Sequence, residues 1–275
     1  MSKRPKLLLL FSIATVSLLL AGHVLNPVSS LEEIVLLLWL GVCGTICIYG
    51  LDMDSGNATN VKALAASFLN SSFKRFFLLQ FFVLTLPLSL MYISGFRLVM
   101  LCAICFLGWL YSAGFTWNGI IYRVKDTLLA KNIFIGFGWG ALVLAGAGTG
   151  DPKDILALFL FTSLQILVGS AIRDISDMKS DVVSGMRTLP VIFGVSKTLA
   201  ILHVANLLTF FPGHAISQNP FIVMLMVVIL GWKGLILINV KANKDSSTWT
   251  QTLNILTCLF IFILVLFQHA YELYR

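Results

Sequence analysis

Residues 172–194 read IRDISDMKSDVVSGMRTLPVIFG and set three aspartates, Asp174, Asp177 and Asp181, inside an otherwise apolar chain. On a helix these positions fall at about 0°, 300° and 340° around the axis, so the three carboxylates share one face. Like charges that close repel, and at the end of a membrane helix they need cations to neutralise them. Carboxylate oxygens suit a hard ion such as Mg²⁺, which keeps room for waters and phosphate oxygens. A diphosphate is therefore the natural ligand of this segment. Arg173 and Arg187 flank the aspartates, and Arg123, Lys125 and Lys131 stand in the preceding polar segment, where they can supply the counter-charge that a departing diphosphate needs. The plainer reading of the same pattern is a solvated acidic loop that caps a helix.

The remainder of the chain favours lipid. Its 275 residues are 58% hydrophobic and 11% charged, with a mean hydropathy of +0.94, well above the level of a soluble domain. Nine apolar runs, roughly 6–24, 33–51, 76–95, 97–117, 132–149, 154–173, 197–213, 219–240 and 249–271, are each near the ~20 residues that cross hydrocarbon. The expected fold is all-α, a polytopic membrane protein of about nine transmembrane helices in a single domain over 1–275.

Basic residues resist translocation and so report orientation. With the N-terminus inside, every one of the 19 Lys and Arg except Arg97, Lys153 and Arg275 falls in a cytoplasmic segment, Lys233 being counted among them. The C-terminus is then expected on the opposite side. The net charge of +7 is mostly this topological signal and gives no reason to expect a nucleic-acid partner. The start, MSKRPKLLLLFSIATVSLLLAGHV, has the basic and apolar parts of a signal peptide but no A-x-A-like cleavage site, so it is read as a retained first helix. Cys102 and Cys105 form a CxxC among apolar neighbours and are read as packed thiols. The four histidines are scattered, and no zinc or haem site is expected.

Polar chemistry concentrates in the expected cytoplasmic loops near 52–75, 118–131 and 174–196. Loops mounted on a rigid bundle are where sites usually lie, which puts an active site on the cytoplasmic face. A first pair of carboxylates, Asp52 and Asp54, follows the second run, and the aspartate trio follows the sixth, four helices later. That spacing describes two pseudo-repeats, roughly 1–131 and 132–275, meeting around one cavity.

The run Asp174-Ile-Ser-Asp177-Met-Lys-Ser-Asp181, followed by Gly185-Met-Arg187-Thr188-Leu189-Pro190 and Phe193-Gly194, resembles the second aspartate-rich motif of the UbiA superfamily of intramembrane prenyltransferases. Tyr111-Ser112, Arg123-Val-Lys125-Asp126, Lys131-Asn132 and Gly136 to Trp139 are similar to that family's signposts after its fourth helix. The first motif departs from the family's N-x-x-x-D-x-x-x-D: here it reads Tyr49-Gly-Leu-Asp52-Met-Asp54-Ser-Gly-Asn57-Ala-Thr-Asn60, and no register places an asparagine and two aspartates correctly. Asp52, Asp54 or both, with Asn57 or Asn60, are left to bind metal, and an altered or lost activity is an alternative.

The resemblance implies a UbiA-like bundle with a lipophilic central cavity, in which Mg²⁺ held by Asp174, Asp177, Asp181, Asp52 and Asp54 binds a polyprenyl diphosphate. It implies diphosphate contacts from Arg123, Lys125, Lys131, Arg187 and Arg173, and supporting roles for Tyr111 and Asn132. The expected reaction is Mg²⁺-dependent transfer of the prenyl group to a lipophilic acceptor in the bilayer: an aromatic ring, a quinone precursor or a glycerol ether. Two alternatives stand beside it. A UbiA-type terpene cyclase would act on farnesyl or geranylgeranyl diphosphate without an acceptor. A membrane transporter would use the aspartates as a conduction path, but its carboxylates should lie mid-span, and here they cluster at helix ends.

Overall fold

In the computed structural model, the described residues are 3–26, 30–55, 69–112, 115–117, 120–122, 130–183, 185–216, 220–240 and 247–273. Helix α1 (Lys3–Leu25) and α2 (Leu31–Ser55) are followed by α3 (Ser72–Leu79), a π-helical stretch Gln80–Thr85, α4 (Leu86–Tyr92) and α5 (Gly95–Ser112). A short hairpin, β1 (Phe115–Trp117) and β2 (Ile120–Tyr122), precedes α6 (Ala130–Ala147), α7 (Pro152–Val183), α8 (Leu189–Leu208), α9 (Phe210–Ile216), α10 (Pro220–Val240) and α11 (Ser247–Leu273). Among the described residues seven helices are long and apolar enough to cross a membrane, and Lys131–Ala147 and Met226–Asn239 are shorter apolar helices. These correspond one to one with the nine runs read from the sequence, and the molecule is an integral membrane protein.

Helices α1, α2, α5, α6, α7 and α11 pack in a closed ring, α1 also lying along α6, while α8, α9 and α10 cover the outer side of α7. The first apolar run is thus a core element: Leu18, Leu19 and Ala21 on α1 are fully buried. Helices in lipid gain little from hydrophobicity and associate through close packing of small residues. Here Gly22 on α1 and Gly146 on α6 do this. A Cβ on Gly146 would meet the Leu19 carbonyl oxygen, and one on Gly22 would meet that of Val143. Gly146→Leu is therefore expected to force α1 off α6 and lower the melting temperature in detergent by many degrees, whereas Gly231→Ala, with open space around it, should leave it unchanged. On the side away from the aspartates, Arg97 (3% exposed) pairs with Glu33 at 3.3 Å and donates to the Asn26 carbonyl, and Asn26 donates to the Ala147 carbonyl at 2.8 Å. This clamp ties α1, α2, α5 and α6 where only connectors were expected.

Three features depart from the sequence reading. The aspartate segment is not a loop: α7 runs unbroken for 32 residues, about 48 Å, and so projects well beyond ~30 Å of hydrocarbon. No Gly or Pro intervenes between Gly169 and Gly185, and an Arg173–Asp177 pair at i,i+4 supports the extension. The hairpin was missed, although Asn118-Gly119 between aromatic and β-branched residues is a strong two-residue turn signal; its register pairs Phe115 with Tyr122 and Trp117 with Ile120. Lys233 is no topological marker. It lies within α10, is fully buried and donates to the Gln165 carbonyl on α7. Gln165 in turn donates to Thr209 at 2.7 Å and Asn206 at 3.3 Å, and Asn206 donates to the Leu230 carbonyl at 2.8 Å. Polar groups enclosed in lipid must find one another, and this network knits α7, α8 and α10.

Candidate active site

The GMRTLP run does its work through backbone geometry. Gly185 takes φ +72°, a left-handed conformation that ends α7, and Met186 N–H closes the turn onto the Asp181 carbonyl at 2.8 Å. Thr188 then opens α8 with Pro190 in its first turn. Its hydroxyl leaves the helix end uncapped and donates instead to Asp181 Oδ2 at 3.1 Å. Asp181 is thereby fixed on α7 at 4% exposure.

Asp174, two turns earlier, is 1% exposed and is held on both oxygens. Lys131 Nζ on α6 donates to Oδ1 at 2.6 Å and Asn132 Nδ2 to Oδ2 at 2.8 Å. Ser170 completes the chain by donating to Asn132 Oδ1 at 2.6 Å. Asp177 is half-buried and accepts from Arg173 at 3.2 Å. These groups form the charged end of a cavity of about 680 Å³ between α1, α2, α5, α6, α7 and α11. Asp52, Asp174, Asp177, Asp181, Lys131 and Arg173 all line it. Two acidic segments far apart in sequence therefore open on one space. Among the described residues no three His, Cys, Asp or Glu side chains converge as a ready-made metal cage.

Beyond the charged end the walls are apolar and aromatic. Tyr111 lines the cavity and stacks on Phe134 with centroids 5.8 Å apart. Sequence reasoning singled out no other aromatic, but a second cluster also lines the cavity: Phe11 stacks on Tyr49 at 4.0 Å, and Trp139 donates its indole N–H to the Tyr49 hydroxyl at 2.8 Å. Tyr49 opens the irregular first motif and Trp139 closes the Gly136 to Trp139 run, so both positions were already marked. The remaining sequence-derived residues are placed differently. Arg187 is exposed between α7 and α8 and is not a lining residue. Asp54 ends within α2 with its side chain outside the described set, and Arg123, Lys125, Asn57 and Asn60 lie outside the described residues.

The donor set fits Mg²⁺. All ligating atoms on offer are hard carboxylate oxygens, and Mg²⁺ needs only one or two of them when waters and substrate phosphates complete its shell. Asp174, engaged on both oxygens, is the carboxylate least free to serve.

Solved structures of UbiA homologues share the fold of this helical bundle. A UbiA homologue from Archaeoglobus fulgidus bound to DMAPP and Mg²⁺ superposes with a TM-score of 0.65 over 94% of this chain and 98% of that one, at 16% identity. The same homologue bound to GPP and Mg²⁺ gives 0.64. No family model matches the chain. Curated sequences that do match are the digeranylgeranylglyceryl phosphate synthases of Methanopyrus kandleri, 32% identical over 84 residues, and of Methanosarcina mazei, 38% identical over 84 residues. Those matches cover 30% and 29% of this chain and span less than a third of the relatives, 31% and 29% of their lengths.

Proposed function

We propose that this protein transfers a polyprenyl group from its diphosphate to a lipophilic acceptor within the membrane, with Mg²⁺ as cofactor, and that the acceptor is a phosphoglycerol ether. The observation that carries this reading is the polarity of one cavity: carboxylates and cations at one end, aromatic and aliphatic walls beyond. A molecule with a diphosphate head and a hydrocarbon tail matches it end for end. The matched archaeal synthases, whose name describes a glyceryl phosphate carrying two geranylgeranyl groups, support the choice of acceptor.

Asp52, Asp177 and Asp181 are the residues that would hold the metal, and Mg²⁺, when bound, offsets charge on the departing diphosphate. Lys131 and Arg173 bind diphosphate oxygens, which are stabilised by positive charge as the carbon–oxygen bond breaks. Asp174 positions Lys131. The Tyr111–Phe134 and Phe11–Tyr49–Trp139 clusters keep water from the allylic cation and turn π faces towards it. The site is assigned to the cytoplasmic side, with the N-terminus inside and the C-terminus opposite, in one domain of two related halves.

The test is a reconstituted reaction. Geranylgeranyl diphosphate and geranylgeranylglyceryl phosphate with Mg²⁺ should give the diether and free diphosphate, and EDTA should reduce the rate to background. A cyclic hydrocarbon formed without acceptor would transfer the assignment to a cyclase. Solute uptake in proteoliposomes with no turnover of any prenyl diphosphate would transfer it to a transporter.

A further inference from the structure

Among the described residues, every residue but one that lines the central cavity belongs to α1, α2, α5, α6, α7 or α11; the exception is Met186, on the turn between α7 and α8. Gly185 and Arg187 on either side of it are exposed, whereas Met186 itself is half-buried. Asp181 holds this turn at two points. Its carbonyl accepts the Met186 N–H at 2.8 Å, and its carboxylate accepts the Thr188 hydroxyl at 3.1 Å. Met186 is thereby anchored at the charged end of the cavity, where the lining residues nearest to it in sequence, Asp177, Ser180 and Asp181, are all polar. A thioether is at odds with that company. It donates no hydrogen bond and accepts only weakly, so it adds nothing to a shell of hard oxygens around a metal and a diphosphate.

The prenyl carbon that bears the diphosphate lies one bond from its oxygen, so the allylic cation forms at this end of the cavity. It is also the end that meets water, because α7 projects beyond the hydrocarbon. Water there competes with the acceptor. Its oxygen bonds to that carbon as the carbon–diphosphate bond breaks, one of its protons passes to a diphosphate oxygen, and a free prenyl alcohol results. Charged side chains retain water, and an apolar one displaces it. Methionine suits this place, since three rotatable bonds let it yield to an entering headgroup and fold back over it. Resting on the transferase reading, we infer that Met186 is a specificity-determining residue, the apolar stopper that closes the head of the cavity over a bound prenyl diphosphate and directs the cation to the acceptor rather than to water.

The test uses the full chain in nanodiscs with Mg²⁺, geranylgeranyl diphosphate and geranylgeranylglyceryl phosphate, and reads the ratio of geranylgeraniol to diether formed. Isotopically labelled water identifies the alcohol made by attack at carbon, because only then does its oxygen enter the alcohol. Met186→Ala removes the thioether and leaves the backbone bond to Asp181 in place. It should raise labelled alcohol relative to diether by about tenfold or more. Met186→Gln keeps the length but offers water an amide, and should raise the ratio as much; it supplies the same measurement if the alanine variant aggregates. Met186→Leu, apolar and of like volume, should stay within about twofold of wild type. Binding of geranylgeranyl diphosphate with Mg²⁺, measured by calorimetry, should be unchanged in all three. A wild-type ratio in both Met186→Ala and Met186→Gln would overturn the inference. So would a loss of both products in proportion with a lowered melting temperature, the pattern of a residue that only packs the turn. If wild-type protein forms no diether, it is the transferase reading that fails.

Discussion

Asp177→Ala and Asp181→Ala should each lower the rate of prenyl transfer by about three orders of magnitude or more while leaving the protein folded in the membrane. Each carboxylate lines the charged end of the cavity, and losing a metal ligand there removes several kcal/mol of charge stabilisation from the transition state. About 4 kcal/mol corresponds to a thousandfold in rate. The structural cost is smaller. The Asp177–Arg173 pair is half-exposed and belongs to a class worth about 0.3–0.5 kcal/mol. Among its contacts Asp181 gives up a hydrogen bond from Thr188, a bond of a kind worth about 1 kcal/mol. Size-exclusion profiles should thus match wild type while turnover disappears. Wild-type rates from both variants would remove the proposed site.

Lys131→Met should damage both folding and activity, and a second substitution should separate the two. Asp174 is 1% exposed and its charge is matched by Lys131 at 2.6 Å. Removing the lysine leaves a buried anion uncompensated, a change that costs about 3–5 kcal/mol in comparable cases. The melting temperature should fall by several degrees. In Lys131→Met/Asp174→Asn the buried charge is gone and Asn132 still has a partner, so thermal stability should return towards wild type. Activity should not return, because the ammonium that meets the diphosphate is still missing. Asp174→Asn alone should reduce activity less than Asp177→Ala, as expected of a residue that acts through Lys131. Recovery of turnover in the double variant would mean that Lys131 is only a structural partner of Asp174.

The sequence disclosed the parts of this site that depend on local spacing. Asp174, Asp177 and Asp181 recur at i, i+3 and i+7, so their common face followed from helix geometry alone, whereas the helix end at Gly185 was not read, because the apolar run stops at 173. The nine apolar runs were legible for the same reason, since bilayer thickness fixes their length. What stayed hidden depends on partners distant in the chain. Lys131 and Asp174 are 43 residues apart, and nothing in either neighbourhood says that they pair, so both carboxylate and ammonium looked available for ligands. Lys233 was misread because a charge count ignores depth: seven residues from the end of α10, it had the bundle interior within reach through Gln165.

Titration calorimetry of the purified protein with geranylgeranyl diphosphate tests most directly whether the site grips a prenyl diphosphate through a metal. Saturable binding with Mg²⁺, lost in EDTA and lost again in Asp177→Ala and Asp181→Ala with Mg²⁺ present, is the predicted result. Equal affinity with and without the metal, or undiminished affinity in both aspartate variants, would contradict it.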